Sequence, residues 1–231
     1  RRGENYISMD TDELRADPER IASIIDHTNV EPDATEADIR ELCGEVREYG
    51  FCSAVVVPYH AELTAELLGD AANVVVVVGF PYGVQNARAK RAEVEALAEY
   101  ADELDMVMNR TAFANDDHEY VIEDVRILKE AVGEKTLKCI IESPALSEAE
   151  IRTAAELVAE GGADFVKTAV GYEGSCDPAE VRTMREAVGP DGGVKASGGI
   201  HSFEEALEMV DAGATRIGAS AGVEIVESIR A

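Results

Sequence analysis

From about residue 24 to the C-terminus, short apolar runs alternate with stretches whose apolar residues recur at helical spacing. The runs of strand length are Ser23–His27, Cys52–Val57, Asn73–Gly79, Leu104–Asn109, Leu137–Glu142, Phe165–Ala169, Val194–Ser197 and Arg216–Ala219. Several are almost continuously apolar, the pattern of a parallel strand covered on both faces. The helices between them have legible beginnings. Ser147-Glu148-Ala149-Glu150 and Ser202-Phe203-Glu204-Glu205 are capping boxes, and Asp177-Pro178-Ala179-Glu180 sets a cap ahead of a proline at the first helical position. Ile39, Leu42, Cys43 and Val46 form one apolar stripe, and Gly161-Gly162 and Gly213 fall where a helix stops ahead of a strand.

Eight strand–helix alternations with no break in composition predict an α/β chain folded as a single (β/α)8 TIM barrel. Residues 1–20 read as a short N-terminal lead-in and residues 21–231 as the barrel. The competing architecture is a doubly wound sheet, which usually carries a GxGxxG turn after its first strand; here that place holds Asp26-His27-Thr28-Asn29-Val30. The chain does not open on Met, and the segment ahead of Met9 is set aside. No apolar stretch follows Arg1-Arg2, so a twin-arginine signal is not read there.

Charge narrows the function classes. The 231 residues hold 21 Lys+Arg against 47 Asp+Glu, a formal net charge of −26. Nucleic acid is excluded as an expected partner, because phosphate neutralisation needs a surplus of Lys and Arg, and an anionic membrane surface is excluded likewise. The longest apolar run, Val74–Val78, is far shorter than the roughly 20 residues of a membrane-spanning helix. The acidic surplus is spread along the chain, and only six of the basic residues are Lys. Such a surface suits a salt-rich cytoplasm, where screening relieves self-repulsion, and a halophilic source is the expectation. Cys43, Cys52, Cys139 and Cys176 show no CxxC pair and are expected as buried free thiols in a reducing cytosol.

Four polar residues interrupt the apolar runs: Asp105, Lys138, Lys167 and Lys195. In the barrel, active sites gather at the C-terminal ends of the strands, so these residues are the first candidates. Burial depresses the pKa of an amine, and a neutral amine is what a Schiff-base nucleophile requires. Lys195, one strand further on, is placed to depress Lys167 again. The competing reading turns both lysines outward, past the helices, to pair with surface carboxylates. Asp105 suits a proton-relay role or a structural ion pair, and both readings need the same contact with a Lys.

The last two strands end in glycine-rich turns, Ser197-Gly198-Gly199-Ile200 and Gly218-Ala219-Ser220. Each leads into a helix, so free backbone N–H groups converge where such barrels commonly hold phosphate. A phosphorylated small molecule is the expected ligand. No His, Asp or Glu cluster has metal-ligand spacing, and neither metal nor other cofactor is expected. His60 and His118 stand in polar contexts and are expected on the surface; His27 closes the first strand and is read as a site-lining or a structural histidine.

Ile25-Asp26-His27-Thr28, Gly79-Phe80-Pro81-Tyr82-Gly83, Leu104-Asp105-Met106-Val107-Met108-Asn109, Gly162-Ala163-Asp164-Phe165-Val166-Lys167-Thr168 and Val194-Lys195-Ala196-Ser197-Gly198-Gly199-Ile200 together resemble the deoxyribose-phosphate aldolase family, in order and over nearly the whole chain. The resemblance implies a metal-free class I aldolase that reversibly splits 2-deoxy-D-ribose 5-phosphate into acetaldehyde and D-glyceraldehyde 3-phosphate. It implies a Schiff base on Lys167, a pKa-lowering role for Lys195, a proton-relay role for Asp105 and supporting roles for Asp26 and Lys138. It places the phosphate on Gly171, Gly198, Gly199, Gly218 and Ser220, and suggests a homo-oligomer, dimer or tetramer.

The chain departs from the family at Ala169 and Val170, where two hydroxyls are missing, at His201 in place of a basic residue, at Ala221 in place of a serine, and at Val55 in place of a strand-two cysteine. It also ends without a tyrosine-bearing tail. These departures touch phosphate affinity and substrate preference. Another Schiff-base aldolase, a transaldolase-like barrel and a non-catalytic sugar-phosphate binder are the competing functions. The charge surplus carries its own prediction: the thermal midpoint rises by several degrees when KCl is raised from about 0.1 M to about 2 M. Calorimetry checks it, and a midpoint indifferent to salt removes the halophile reading.

Overall fold

The computed structural model describes residues 11–172 and 174–230. Its centre is a closed barrel of eight parallel strands in sequence order. They are β1 (Ile25–Asn29), β2 (Ser53–Val56), β3 (Asn73–Val78), β4 (Glu103–Val107), β5 (Thr136–Ile140), β6 (Phe165–Lys167), β7 (Gly193–Ser197) and β8 (Arg216–Ala219). The described helices are α1 (Thr11–Ala16), α2 (Glu36–Tyr49), α3 (Ala61–Leu68), α4 (Ala87–Leu97), α5 (Arg110–Ala114), α6 (His118–Val132), α7 (Glu148–Glu160), α8 (Pro178–Val188), α9 (Phe203–Asp211) and α10 (Gly222–Glu227). The expected (β/α)8 barrel is therefore the fold, and the doubly wound alternative is not.

The local signals act where they stand. Ser147, Asp177 and Ser202 each accept at the start of α7, α8 and α9, with Glu150, Glu180 and Glu205 returning the bond. A further capping box, Thr35 with Asp38, opens α2. The buried residues of α2 are Ile39, Leu42, Cys43 and Val46, the stripe read from the sequence. β1 starts two residues later than expected, because Pro18–Ile24 winds into a 3-10 helix that uses Ser23 and Ile24. The N-terminal half of the expected lead-in lies outside the described residues. Its remainder holds α1, whose Leu14 is buried, and the start of the 3-10 helix. His60 is a correction: only 4% of it is exposed, because the 3-10 turn Pro58–His60 folds it inward to bond the carbonyl of Ala34 at 2.9 Å. His118 is likewise half-buried, stacked on Phe113. Cys43, Cys139 and Cys176 are buried free thiols; Cys52 is partly exposed and lies against Arg216.

The main core fills the layer between barrel and helices, while Val55, Val75 and Val77 form a separate apolar cluster. Strand alternation explains the split. Inward-facing positions on β2 and β3 are valines except at the strand starts, Ser53 and Asn73, whereas those on β1 and β4 through β8 are mainly charged or small. Register carries Val77, Asp105, Lys138, Phe165 and Gly193 across five adjacent strands, then Ile140, Lys167, Lys195 and Arg216 across the layer above. Gly193 is required in its layer, since a Cβ there would run into the Phe165 ring.

One buried ion pair lies outside the barrel wall. Lys90 of α4 is fully buried and donates to Asp124 of α6 at 2.6 Å and to the Val107 carbonyl at 2.9 Å. It thus ties two helices to the C-terminal end of β4. Removing one partner strands a buried charge, so Lys90→Met is expected to cost about 3–5 kcal/mol in urea unfolding. The double variant Lys90→Met/Asp124→Leu is expected to regain most of that loss, and equal midpoints for single and double variants would contradict the assignment.

Candidate active site

The candidate residues are brought together by parity. Asp105 of β4 is an inward position, as are Lys138, Lys167, Lys195 and Asp26 on their strands, and all five side chains are buried. The outward reading of the lysines is thereby overturned. Lys167 Nζ donates to Asp105 Oδ2 at 2.7 Å, Lys195 Nζ to the same oxygen at 2.8 Å, and Lys138 Nζ to Asp105 Oδ1 at 2.9 Å. Lys195 also meets Asp26 Oδ2 at 2.5 Å. Asp26 accepts from Ser53 Oγ at 2.7 Å and from Arg216 at 3.0 Å.

Two members of this network were not read from the sequence. Glu103 forms a close ion pair with Lys138 and accepts from Arg216 at 2.9 and 3.1 Å. Arg216 spans Asp26 and Glu103, with its guanidinium carbon 5.9 Å from the centre of the Phe165 ring. The period of two could have found Glu103, since it stands two residues before Asp105 and so shares its face. Arg216 opens its strand, where a long cation reads as solvent-facing until closure of the barrel brings β8 beside β1.

Electrostatics separate the lysines. Burial alone pushes the Asp105 carboxyl up, but the ammoniums of Lys138, Lys167 and Lys195 outweigh it and hold the group well below the usual carboxylate range. Asp26 is likewise lowered: desolvation opposes the shift, and Arg216, Lys195 and Lys138 overcome it. Lys138 is raised, since burial is outweighed by Asp105, Glu103 and Asp26. Lys167 alone goes the other way. Burial lowers it, the Asp105 carboxylate opposes, Lys195 and Lys138 lower it further, and it titrates at about 8. Roughly half of it is then the free amine at pH 8, against under about 1% for an ordinary lysine.

Lys167 is also the lysine within reach of solvent. It lines a cavity of about 640 Å3 at the C-terminal end of the barrel, and Gly171, Gly198, Gly199, Gly218 and Ser220 line the same cavity. Lys195 and Asp105 are fully buried beneath it. Gly198 and Gly199 hold φ of 103° and 75°, and a Cβ at Gly199 would collide with Ser175, so the turn there requires glycine. Among the described lining residues Lys167 is the only Lys or Arg. The wall beside it carries Glu31, Asp38, Glu41 and Glu45, the last bonded to His27 at 2.7 Å. His27 lines the edge of the same cavity, with its ring packed on Phe51 in the helix layer. Among the described residues no three His, Cys, Asp or Glu are placed to hold a metal ion. A second cavity, of about 770 Å3, lies over the loops after β3, β4 and β5 and contains none of the charged network.

A parallel barrel that holds a lysine of lowered pKa at the floor of its C-terminal cavity, beside a buried carboxylate and a second lysine, has the equipment of a carbon–carbon lyase working through an amine. Comparison with known proteins gives the class a name. Residues 20–227 match the family model described as DeoC/LacD family aldolase, and the chain belongs to that family. It is 45% identical to a deoxyribose-phosphate aldolase of Clostridium perfringens, covering 91% of this chain and 96% of that one. It is 46% identical to one of Thermococcus gammatolerans, with 91% and 96% covered. Among solved structures it superposes on the deoxyribose phosphate aldolase of Aeropyrum pernix, described as a unique tetramer, with a TM-score of 0.86, 33% identity and 94% and 95% coverage. An aldolase designated QR15 superposes with a TM-score of 0.87 at 34% identity, with 91% and 96% covered.

The titration of Lys167 is directly testable. Lys195→Met removes a neighbouring cation and is expected to move the Lys167 midpoint above 8, toward the ordinary value; Asp105→Asn removes the opposing carboxylate and is expected to move it lower still. The pH dependence of reductive methylation at Lys167, followed by peptide mass spectrometry, reads both shifts. Shifts of the opposite sign would refute the assignment.

Proposed function

We propose that the protein is a class I aldolase that reversibly cleaves 2-deoxy-D-ribose 5-phosphate to acetaldehyde and D-glyceraldehyde 3-phosphate. The observation that carries the reading is the lowered pKa of Lys167, the one network lysine that lines the cavity. Its free amine adds to the open-chain aldehyde and, with loss of water, gives a protonated imine. The bond between C2 and C3 then breaks. The C3 hydroxyl gives up its proton, the new carbonyl leaves as glyceraldehyde phosphate, and the bonding electrons enter the iminium to give an enamine. Protonation of the enamine carbon and hydrolysis release acetaldehyde and return the amine.

Lys195 lowers Lys167 and supplies the cation that shares Asp105 Oδ2 with it. A proton leaving either nitrogen finds that oxygen within 2.8 Å, so Asp105 joins the relay while remaining ionised at rest. Asp26 and Lys138 support the relay by holding Lys195 and Asp105 in place. The phosphate rests on the backbone N–H groups around Gly171, Gly198, Gly199 and Gly218 and on Ser220, without a cationic side chain. Substrate affinity therefore depends on salt to screen Glu41 and Glu45 on the cavity wall.

The reading extends to setting. A cytoplasmic enzyme of a halophilic archaeon fits the charge of −26 and the scarcity of Lys. No described helix is long and apolar enough to cross a membrane. A homo-oligomer, dimer or tetramer, is supported by the tetramer described for the Aeropyrum pernix relative.

Borohydride reduction in the presence of 2-deoxyribose 5-phosphate, in concentrated KCl, is expected to leave a stable adduct on Lys167 that Lys167→Ala abolishes. A folded protein that gives no adduct would overturn the reading in favour of a non-catalytic sugar-phosphate binder.

A further inference from the structure

One buried hydroxyl in the cavity wall has no partner. Ser197 closes β7 two residues after Lys195, so both side chains face inward. The residue is 6% exposed, and its hydroxyl makes no hydrogen bond with the protein. Its backbone, by contrast, is held on both sides. The Ser197 N–H donates to Thr168 Oγ1 at 2.8 Å, and that hydroxyl donates to the Ser197 carbonyl at 2.8 Å. The Ser197 hydroxyl occupies the gap left by Gly218: a Cβ there would run into Ser197 Oγ and lie 2.9 Å from Lys195 Cε. The hydroxyl thus stands beside the stem of Lys195, in the wall shared with Lys167, Gly198 and Gly199. Buried hydroxyls are nearly always bonded, and one that is rigidly mounted and left unpaired on a residue lining a cavity is provisioned for a ligand group.

We propose that Ser197 is a specificity-determining residue whose hydroxyl bonds the C4 hydroxyl of the sugar phosphate. The assignment rests on the aldolase reading of the site. With C1 joined to Lys167 and the C5 phosphate on the glycine turns, the sugar lies along β7 in the order Lys195, Ser197, Gly198. The C3 hydroxyl loses its proton in the reaction and belongs with Lys195 and Asp105. The C4 hydroxyl, next toward the phosphate, falls to Ser197. A serine hydroxyl both donates and accepts, so it satisfies a ligand hydroxyl in either sense. A site built to bond a hydroxyl discriminates against the analogue that lacks it, because its own buried group is then left unpaired.

The test runs in the carbon-bond-forming direction with acetaldehyde as donor and two acceptors that differ only in the hydroxyl concerned. D-Glyceraldehyde 3-phosphate carries it at C2, which becomes C4 of the product; 3-phosphooxypropanal does not. Ser197→Ala is expected to lower kcat/KM for the hydroxylated acceptor by about 10-fold, mainly through KM, and to leave the deoxy acceptor within about 2-fold. Borohydride capture of acetaldehyde on Lys167 reports the amine chemistry separately. An adduct at the unaltered level in Ser197→Ala, with equal loss on both acceptors or loss on neither, would overturn the role of Ser197 alone. No acetaldehyde adduct even in the unaltered protein would overturn the aldolase reading and the Ser197 assignment with it.

Discussion

Asp105 accepts from three lysine ammoniums, and all four side chains are buried in the barrel. A carboxylate so deep stays ionised only because those cations surround it, and they stay buried only because carboxylates answer them. Asp26, Glu103 and Asp105 make three acids, whereas Lys138, Lys167, Lys195 and Arg216 make four bases. One base is left over. The imbalance is settled at the position nearest the cavity, where Lys167 loses its proton most readily. A free amine at the floor of the site is therefore a property of the whole interior.

The valines of β2 and β3 complete that arrangement. Val55, Val75 and Val77 fill the half of the barrel without charges and keep its dielectric low, so the ion pairs of the other half act at full strength. Outside, the sign is reversed. The surface is strongly acidic and the cavity wall carries carboxylates of its own, so an anionic substrate crosses an unfavourable field before it meets the glycine turns. At about 1 M salt that field falls off within roughly 3 Å.

Much of this was legible without coordinates. Arg216–Ala219 matches its strand to the residue, since a short run between Gly213 and the Ser220 turn leaves little freedom. Both expected capping boxes and the Asp177 cap sit at the starts of the helices that they precede. The lysines on β5, β6 and β7 stood out because a charge in an apolar run is anomalous in itself. Glu103 and Arg216 escaped for the opposite reason: each sits at the edge of its run, next to polar residues, where a charge is ordinary. Lys90 escaped because Arg88, Arg91 and Glu95 of the same helix face solvent, and only the packing of α4 on α6 shows that this one does not. Ser197 was read as part of a turn. Its unpaired hydroxyl is an absence of contact, which a sequence cannot record.

The closure of the charge network has a consequence for how such a barrel can change over generations. Each member of the floor is answered by at least one other, so a single exchange that adds or removes a charge there disturbs the proton balance of Lys167 from several ångströms away. Neutral drift in the floor must therefore proceed by matched pairs, which are rare events. The rim is under no such rule. Tyr82, Tyr172 and His201 stand largely outside the network and in contact with solvent, free to vary one at a time. New substrate preferences in this scaffold should accordingly arise at the mouth, with the amine chemistry carried along unaltered beneath.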